Sequence, residues 1–216
     1  MKKRSVASLI AVIFAFVFVV GCSTNSVSDI SSDNINQSEQ DASQHDSVSD
    51  LSTESNIIEQ GKSAVVYFSA TGNTAEAVQI IAGETGADIF EIVPQEVYTS
   101  EDLNYNDDNC RANQEMNDDN ARPAIADDLS VVSEYDRIYL GYPIWWGTAP
   151  RIIQTFLEEY DLSQATIYIF CTSGGSGVEQ SVRDLQSLYP DTNIIEGKCF
   201  SSASAEDVKS WIESLN

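Results

Sequence analysis

Three short runs, AVVYF at residues 64–68, RIYLGY at 137–142 and TIYIF at 166–170, are apolar almost without interruption. A strand with one wetted face alternates polar and apolar residues. A strand apolar on both sides must be covered on both, as the interior strands of a parallel sheet are. Parallel neighbours cannot be joined by tight turns, so long crossovers are required. Helical spacing occurs where those crossovers should lie. Val78, Ile81, Ala82 and Thr85 share one face after the first run; Ile152, Ile153, Phe156, Leu157 and Tyr160 follow the second; Val178, Val182, Leu185 and Leu188 follow the third. Val208, Trp211, Ile212 and Leu215 predict a closing helix, and Ile125, Leu129 and Val132 a shorter one ahead of RIYLGY. ADIFEIV at 87–93 and NIIEGKCF at 193–200 fit two further, less regular strands. Strand and helix alternate throughout, so the class is α/β with a parallel sheet.

These elements occupy residues 61–216, enough chain for one core. What precedes them is of another kind. Lys2, Lys3 and Arg4 stand before an apolar run at residues 9–20 that ends at Gly21 and Cys22. The run is short for a spanning helix and suits an export signal. Its end, VVGC, resembles the bacterial lipoprotein signal. That resemblance implies that residues 1–22 are a signal peptide ending at a lipidated Cys22, and that the mature chain is anchored to the extracytoplasmic face of the membrane. Val19 stands where that signal usually has Leu and Val20 where it has a small residue; an uncleaved anchor with an incidental cysteine is the alternative. Residues 23–60 are Ser, Asn, Asp, Gln and Thr with almost no large apolar side chain. Such a segment buries too little surface to offset its ordering entropy, which predicts a disordered polar linker. Its root-mean-square reach is about 30 to 40 Å. The only histidine, His45, lies in it, which leaves the domain without an imidazole for acid–base catalysis.

From residue 61 onward there are 26 acidic and eight basic residues, a net charge of −18. That balance argues against nucleic acid as a partner, because phosphate backbones need clustered Lys and Arg. It fits either basic partners or a merely solvated acidic surface.

In open parallel sheets, ligands sit beyond the carboxyl ends of the strands, where strand order reverses. The loops there are SATGNT, GYPIWWGTAP and CTSGGSG. In the first, Ser69, Thr71 and Thr74 offer hydroxyls and Asn73 an amide, and Gly72 lets several N–H groups turn toward one anion at a helix start. Asn73 with Glu76 reads as a capping box. The loop suits a phosphate held without Lys or Arg. It is neither the G-x-x-x-x-G-K-[ST] triphosphate loop nor the G-x-G-x-x-G dinucleotide fingerprint, both absent from the chain. In the second loop Trp145 and Trp146 are adjacent, flanked by Tyr142, Pro143 and Gly147, which mark a loop and favour stacking on a flat ligand over core packing. The third loop has exposed N–H groups and little side chain, suited to a polar ring edge.

A phosphate cradle, an aromatic wall and a polar rim together describe a flavin mononucleotide site. With SATGNT matching an S-x-T-G-x-T phosphate loop, and with YDRIYLGYPIWWGTAPRIIQTFLEE and FCTSGGSGVEQSVRDL after it, the chain from about Ser63 onward resembles the flavodoxin family. The resemblance implies a flavodoxin-like three-layer α/β/α sandwich, a five-stranded parallel sheet of order 2-1-3-4-5, and FMN at its carboxyl edge. It assigns cofactor binding to Ser69, Ala70, Thr71, Gly72, Asn73 and Thr74, to Pro143, Ile144, Trp145, Trp146 and Gly147, and to Thr172, Ser173, Gly174, Gly175, Ser176 and Gly177. No catalytic side chain and no metal site are expected. The third loop lacks the Tyr that many electron-carrier flavodoxins lay over the flavin, which leaves one ring face open to a substrate. The implied function is electron or hydride transfer through FMN to a redox partner protein or a small acceptor such as a quinone; carrier and reductase are not distinguished. A tethered binding module that keeps the fold without cofactor is the alternative.

Two features stay open. Residues 96–122 form an acidic insertion that reads either as a lid or docking surface, with Tyr98, Tyr105, Arg111 and Arg122 as its contacts, or as a solvated loop. Cys171 and Cys199 end the fourth and fifth strands in a chain sent to a disulfide-permissive compartment. A bridge between adjacent parallel strands is geometrically awkward, which favours two buried thiols. For the anchor, the expectation is that Cys22→Ala abolishes fatty-acid labelling and processing at that position; unchanged labelling in the variant would contradict it.

Overall fold

The computed structural model describes residues 61–215; the signal at 1–22, the linker at 23–60, Cys22 and His45 lie outside the described residues. Five strands, β1 (Ser63–Tyr67), β2 (Asp88–Glu91), β3 (Arg137–Pro143), β4 (Thr166–Thr172) and β5 (Asn193–Phe200), pair in parallel in the order β2-β1-β3-β4-β5. Between and after them run α1 (Asn73–Thr85), α2 (Arg111–Asn117), α3 (Arg151–Glu159), α4 (Glu179–Leu188) and α5 (Ala205–Ser214). This is the sheet order and class expected of a flavodoxin-like α/β fold.

The continuous apolar runs have the cause inferred for them. Alternate residues of β1, β3 and β4 enter two separate cores. Val65, Tyr67, Tyr139 and Phe170 pack on Ala77, Val78 and Ile81 of α1 and on Val208, Trp211 and Ile212 of α5. Val66, Ile138, Leu140, Ile167 and Ile169 pack on Ile152, Ile153 and Phe156 of α3 and on Val182 and Leu185 of α4. Each Val, Leu, Ile or Phe among them contributes about 1.5 to 3 kcal/mol by leaving water. The three layers thus follow from burial on both faces of one sheet.

Several details depart from the sequence reading. Leu188, at the end of α4, is 53% exposed rather than facing the core. Thr85 ends α1 by donating its hydroxyl to the Ile81 carbonyl at 2.7 Å. Ile125, Leu129 and Val132 do not share a regular helix. Ile125 forms an isolated bridge with Pro94, and only a short 3-10 helix, Ser130–Glu134, follows. Asp128 starts it by accepting from the Ser130 N–H at 2.9 Å. Cys171 and Cys199 are direct register partners and both are free thiols; Cys171 is buried and Cys199 only partly so.

The insertion at 96–122 is folded onto the domain. Tyr98 is buried and its hydroxyl donates to Glu115. Arg111 bonds Glu115 Oε1 at 2.6 Å and the Glu96 carbonyl at 2.6 Å, with its guanidinium 4.1 Å from the Tyr98 ring centre. Arg151, at the start of α3, bonds Asp119 Oδ1 at 2.6 Å and the Met116 carbonyl at 3.1 Å. Arg122 forks onto both oxygens of Glu158 at 2.8 and 2.9 Å. These contacts exchange the entropy of an acidic loop for charge-assisted bonds.

Gly141 in β3 marks a close approach. A Cβ there would stand 2.0 Å from the ring of Phe170, which is fully buried. Gly141→Ala is therefore expected to cost about 1 to 3 kcal/mol through overpacking, or several degrees of Tm at about 2 to 4 °C per kcal/mol for a domain of this size. A thermal melt that does not move would show that Phe170 yields freely.

Candidate functional site

The carboxyl ends of β1, β3, β4 and β5 border a cavity of about 490 Å³. Its lining comes from four loops: Ala70, Thr71, Asn73 and Glu76; Pro143, Ile144 and Trp145; Thr172, Ser173 and Gly174; and Ser201, Ser202 and Ala203, with Tyr105 added by the insertion. Among the described residues no Lys or Arg lines it.

The first loop reaches α1 through Gly72, whose φ of 89° is left-handed. The expected capping box does not form, because Gly72 occupies the N-cap and no side chain caps the helix. Ser69 serves part of that role by accepting from the Ala75 N–H at 3.4 Å, while Asn73 donates to Thr71 Oγ1 at 3.3 Å. Among the described residues the backbone N–H groups of residues 70–74 have no acceptor. That is the usual state of a helix start and gives it a partial positive charge. Thr74 is buried, and its hydroxyl shares a 2.9 Å hydrogen bond with that of Thr172 at the end of β4. The first and third loops are thus tied together beneath the cavity.

The second loop turns sharply. Trp145 and Thr148 exchange two backbone hydrogen bonds at 3.0 Å. Trp146 and Gly147 between them have φ of 49° and 82°, the two positive angles of a type I′ turn. Glycine accepts this readily; a tryptophan does so at a cost of about 1 to 3 kcal/mol, a strain that clusters at functional sites. The two indoles separate. Trp145 is 4% exposed and packs edge-on against Phe68 at 5.7 Å and Tyr98 at 5.2 Å, while still bordering the cavity. Trp146 is 49% exposed and meets the Tyr105 ring edge-on at 5.0 Å. Tyr105, Ile144, Trp145 and Trp146 frame an apolar recess of about 280 Å³. Partial burial pushes the Tyr105 phenol above its ordinary pKa, so it stays neutral at physiological pH.

In the third loop Ser173 accepts from the N–H groups of Gly175 at 2.9 Å and Ser176 at 2.6 Å. This fold of the loop divides it. Gly174 borders the large cavity, Gly175, Ser176 and Gly177 border a neighbouring depression with Glu179, Lys198 and Cys199, and Ser173 borders both.

A flavodoxin family profile matches residues 62–215. The chain belongs to the flavodoxin family. It is similar to candidate flavoproteins of known crystal structure from Bacteroides eggerthii (41% identity, TM-score 0.69, covering 72% of this chain and 98% of that one) and Bacteroides uniformis (44%, 0.69, 71% and 98%). A flavoprotein from Lactobacillus acidophilus solved in complex with FMN is 21% identical, with a TM-score of 0.55 over 70% of this chain and 99% of that one, a likeness of fold. No curated protein matches.

For this flavodoxin domain, the structure brings Ala70, Thr71, Asn73, Pro143, Ile144, Trp145, Thr172, Ser173 and Gly174 around one cavity. Ser69, Gly72 and Thr74 shape the loop and helix start beside it, Trp146 lines the adjoining apolar recess instead of the cavity, and Gly147 shapes the turn. Tyr105 alone of the four insertion residues reaches the cavity; Tyr98 is core, Arg111 braces the insertion internally, and Arg122 ties it to Glu158 of α3. Glu76, Ser201, Ser202 and Ala203 escaped the sequence reading as lining residues. The signal for the last three was present, since SSAS follows the fifth strand at the same carboxyl edge.

The Thr74–Thr172 bond makes a stability prediction. Thr74→Val leaves the Thr172 hydroxyl buried without its partner, at about 1 to 3 kcal/mol. The Thr74→Val/Thr172→Val pair should lie closer to the unaltered protein than the sum of the two single losses. Strictly additive losses in a urea-unfolding cycle would contradict the bond.

Proposed function

We propose that this domain binds FMN in the cavity at the carboxyl edge of the sheet and works as a redox protein, tethered through lipid on Cys22 to the extracytoplasmic face of the membrane. Its electrons pass to or from a redox partner protein or a small acceptor such as a quinone. The observation that carries the reading is one cavity bordered at once by the SATGNT loop, by Trp145 and by Ser173 with Gly174.

The residues fit the group. A phosphate monoester needs several donors and tolerates the absence of a cation when backbone N–H groups at a helix start converge on it. Residues 70–74 supply such N–H groups, with the Thr71 hydroxyl and the Asn73 amide beside them. Ile144, Trp145 and Tyr105 supply flat apolar surface for an aromatic ring. Ser173, Ser201, Ser202 and the Gly174 backbone supply polar contacts. The volume suits a small-molecule site. The family and the FMN-bound fold relative from Lactobacillus acidophilus agree with this choice.

When bound, FMN supplies the electron-transfer chemistry, and the protein supplies binding, orientation and electrostatics. Glu76 borders the site within a domain of charge −18, so the protein opposes further negative charge there. The exposed faces of Trp146 and Tyr105 leave an apolar approach beside the cavity for a planar acceptor. The acidic surface disfavours nucleic acid and suits a basic docking partner. Tethering by a long polar linker would let one domain serve neighbouring membrane partners.

Thr71→Val separates phosphate recognition from ring recognition. Loss of a hydrogen bond to a charged group costs about 1.5 to 3 kcal/mol, which weakens FMN by about ten-fold to more than a hundred-fold. Riboflavin, which has no phosphate, should bind the variant and the unaltered protein alike. Equal weakening of both ligands in a fluorescence titration would contradict the assignment.

A further inference from the structure

Strands β4 and β5 each carry a cysteine near their carboxyl ends, and Cys171 and Cys199 are direct register partners. Partners in neighbouring strands lie about 4.8 Å apart, inside the range of about 4.4 to 6.8 Å that a disulfide spans between Cα atoms. Their side chains also share a face, since both belong to the core on the α3–α4 side of the sheet. The register and the shared face thus set the two thiols side by side. Cys171 is completely buried; Cys199 is partly exposed and borders the depression formed with Ser173, Ser176, Glu179 and Lys198. Cys199 Sγ donates to the Ser176 carbonyl at 3.3 Å.

We propose that Cys171 and Cys199 form a reversible dithiol–disulfide site, in which Cys199 attacks an incoming disulfide of the glutathione class and Cys171 resolves the adduct. The asymmetry of the pair assigns these roles. Only Cys199 meets solvent. The adjacent Cys171 thiol holds the Cys199 pKa below the ordinary thiol value, whereas the same neighbour and burial push Cys171 up. The thiolate is the nucleophile in exchange.

The chemistry balances without any other reactant. The Cys199 thiolate forms a bond to one sulfur of the external disulfide, whose S–S bond breaks and releases one thiolate. Cys171 then loses its proton and attacks Cys199 Sγ, forming the internal bridge and expelling the second thiolate. Two protein thiols are oxidised by two electrons, and one external disulfide is reduced to two thiols, which take up the two protons. Closing the bridge removes the Cys199 S–H from the Ser176 carbonyl, so the third loop loses one of its fixed contacts when the pair is oxidised.

The test uses the reduced full chain incubated with excess oxidised glutathione, quenched in acid, alkylated, digested and mapped by mass spectrometry. A cross-linked peptide pair holding Cys171 and Cys199, two hydrogens lighter than the separate peptides and released by dithiothreitol, is the expected result, with Cys110 still alkylated. Cys171→Ser should instead accumulate a glutathione adduct on Cys199, and Cys199→Ser should yield no cross-link and no adduct on Cys171. A stable adduct on Cys199 of the unaltered chain, or Cys171 and Cys199 both recovered alkylated, would overturn the proposal.

Discussion

The structure depends on the need to cover both faces of β1, β3 and β4. Ala64, Val65 and Val66, then Ile138, Tyr139 and Leu140, have no solvent-facing side, so helices must lie above and below the sheet. Helices can reach both faces only through crossovers that leave each strand at its carboxyl end. The functional loops are thus gathered at one edge by the same burial that stabilises the domain. The site is a geometric consequence of the core, and its chemistry comes from what those loops contain.

Within that edge, small interactions decide the shape. The Thr74–Thr172 hydroxyl pair fastens the first helix to the end of β4. The positive-φ turn at Trp146 and Gly147 sends one indole inward and the other outward. Ser173 folds the third loop by taking two N–H groups, which parts Gly174 from Gly175, Ser176 and Gly177. The insertion contributes one aromatic ring to the cavity, Arg111 braces it internally, and Arg122 and Arg151 tie it to α3.

The central strands were legible because a short run apolar on both faces is satisfied by an interior strand of a covered sheet and by little else; the less regular NIIEGKCF still coincides with the edge strand β5 from first residue to last. The three central loops were legible because strand ends locate them. What escaped the sequence was long-range. Nothing local says that Trp145 packs against Tyr98, or that an acidic stretch rich in Asn and Asp is fixed by Arg151 from α3. Asn73 and Glu76 have the spacing of a capping box, yet Gly72 takes the cap position, so the local pattern lost to the turn that precedes it. The short 3-10 helix at 130–134 replaced a predicted helix because its apolar residues anchor the chain at separate points.

The central claim is that the N–H groups of residues 70–74 hold the phosphate of FMN while the ring lies against Ile144 and Trp145. Amide-resolved proton–nitrogen NMR of the labelled domain, titrated in parallel with FMN and riboflavin, tests it most directly. The account predicts that both ligands move the resonances of residues 144–146, 173–174 and 201–203, and that FMN alone strongly shifts the amides of 70–74. Identical shifts at 70–74 with both ligands, or shifts confined to the opposite sheet edge around Glu84, Arg137 and Tyr168, would contradict it.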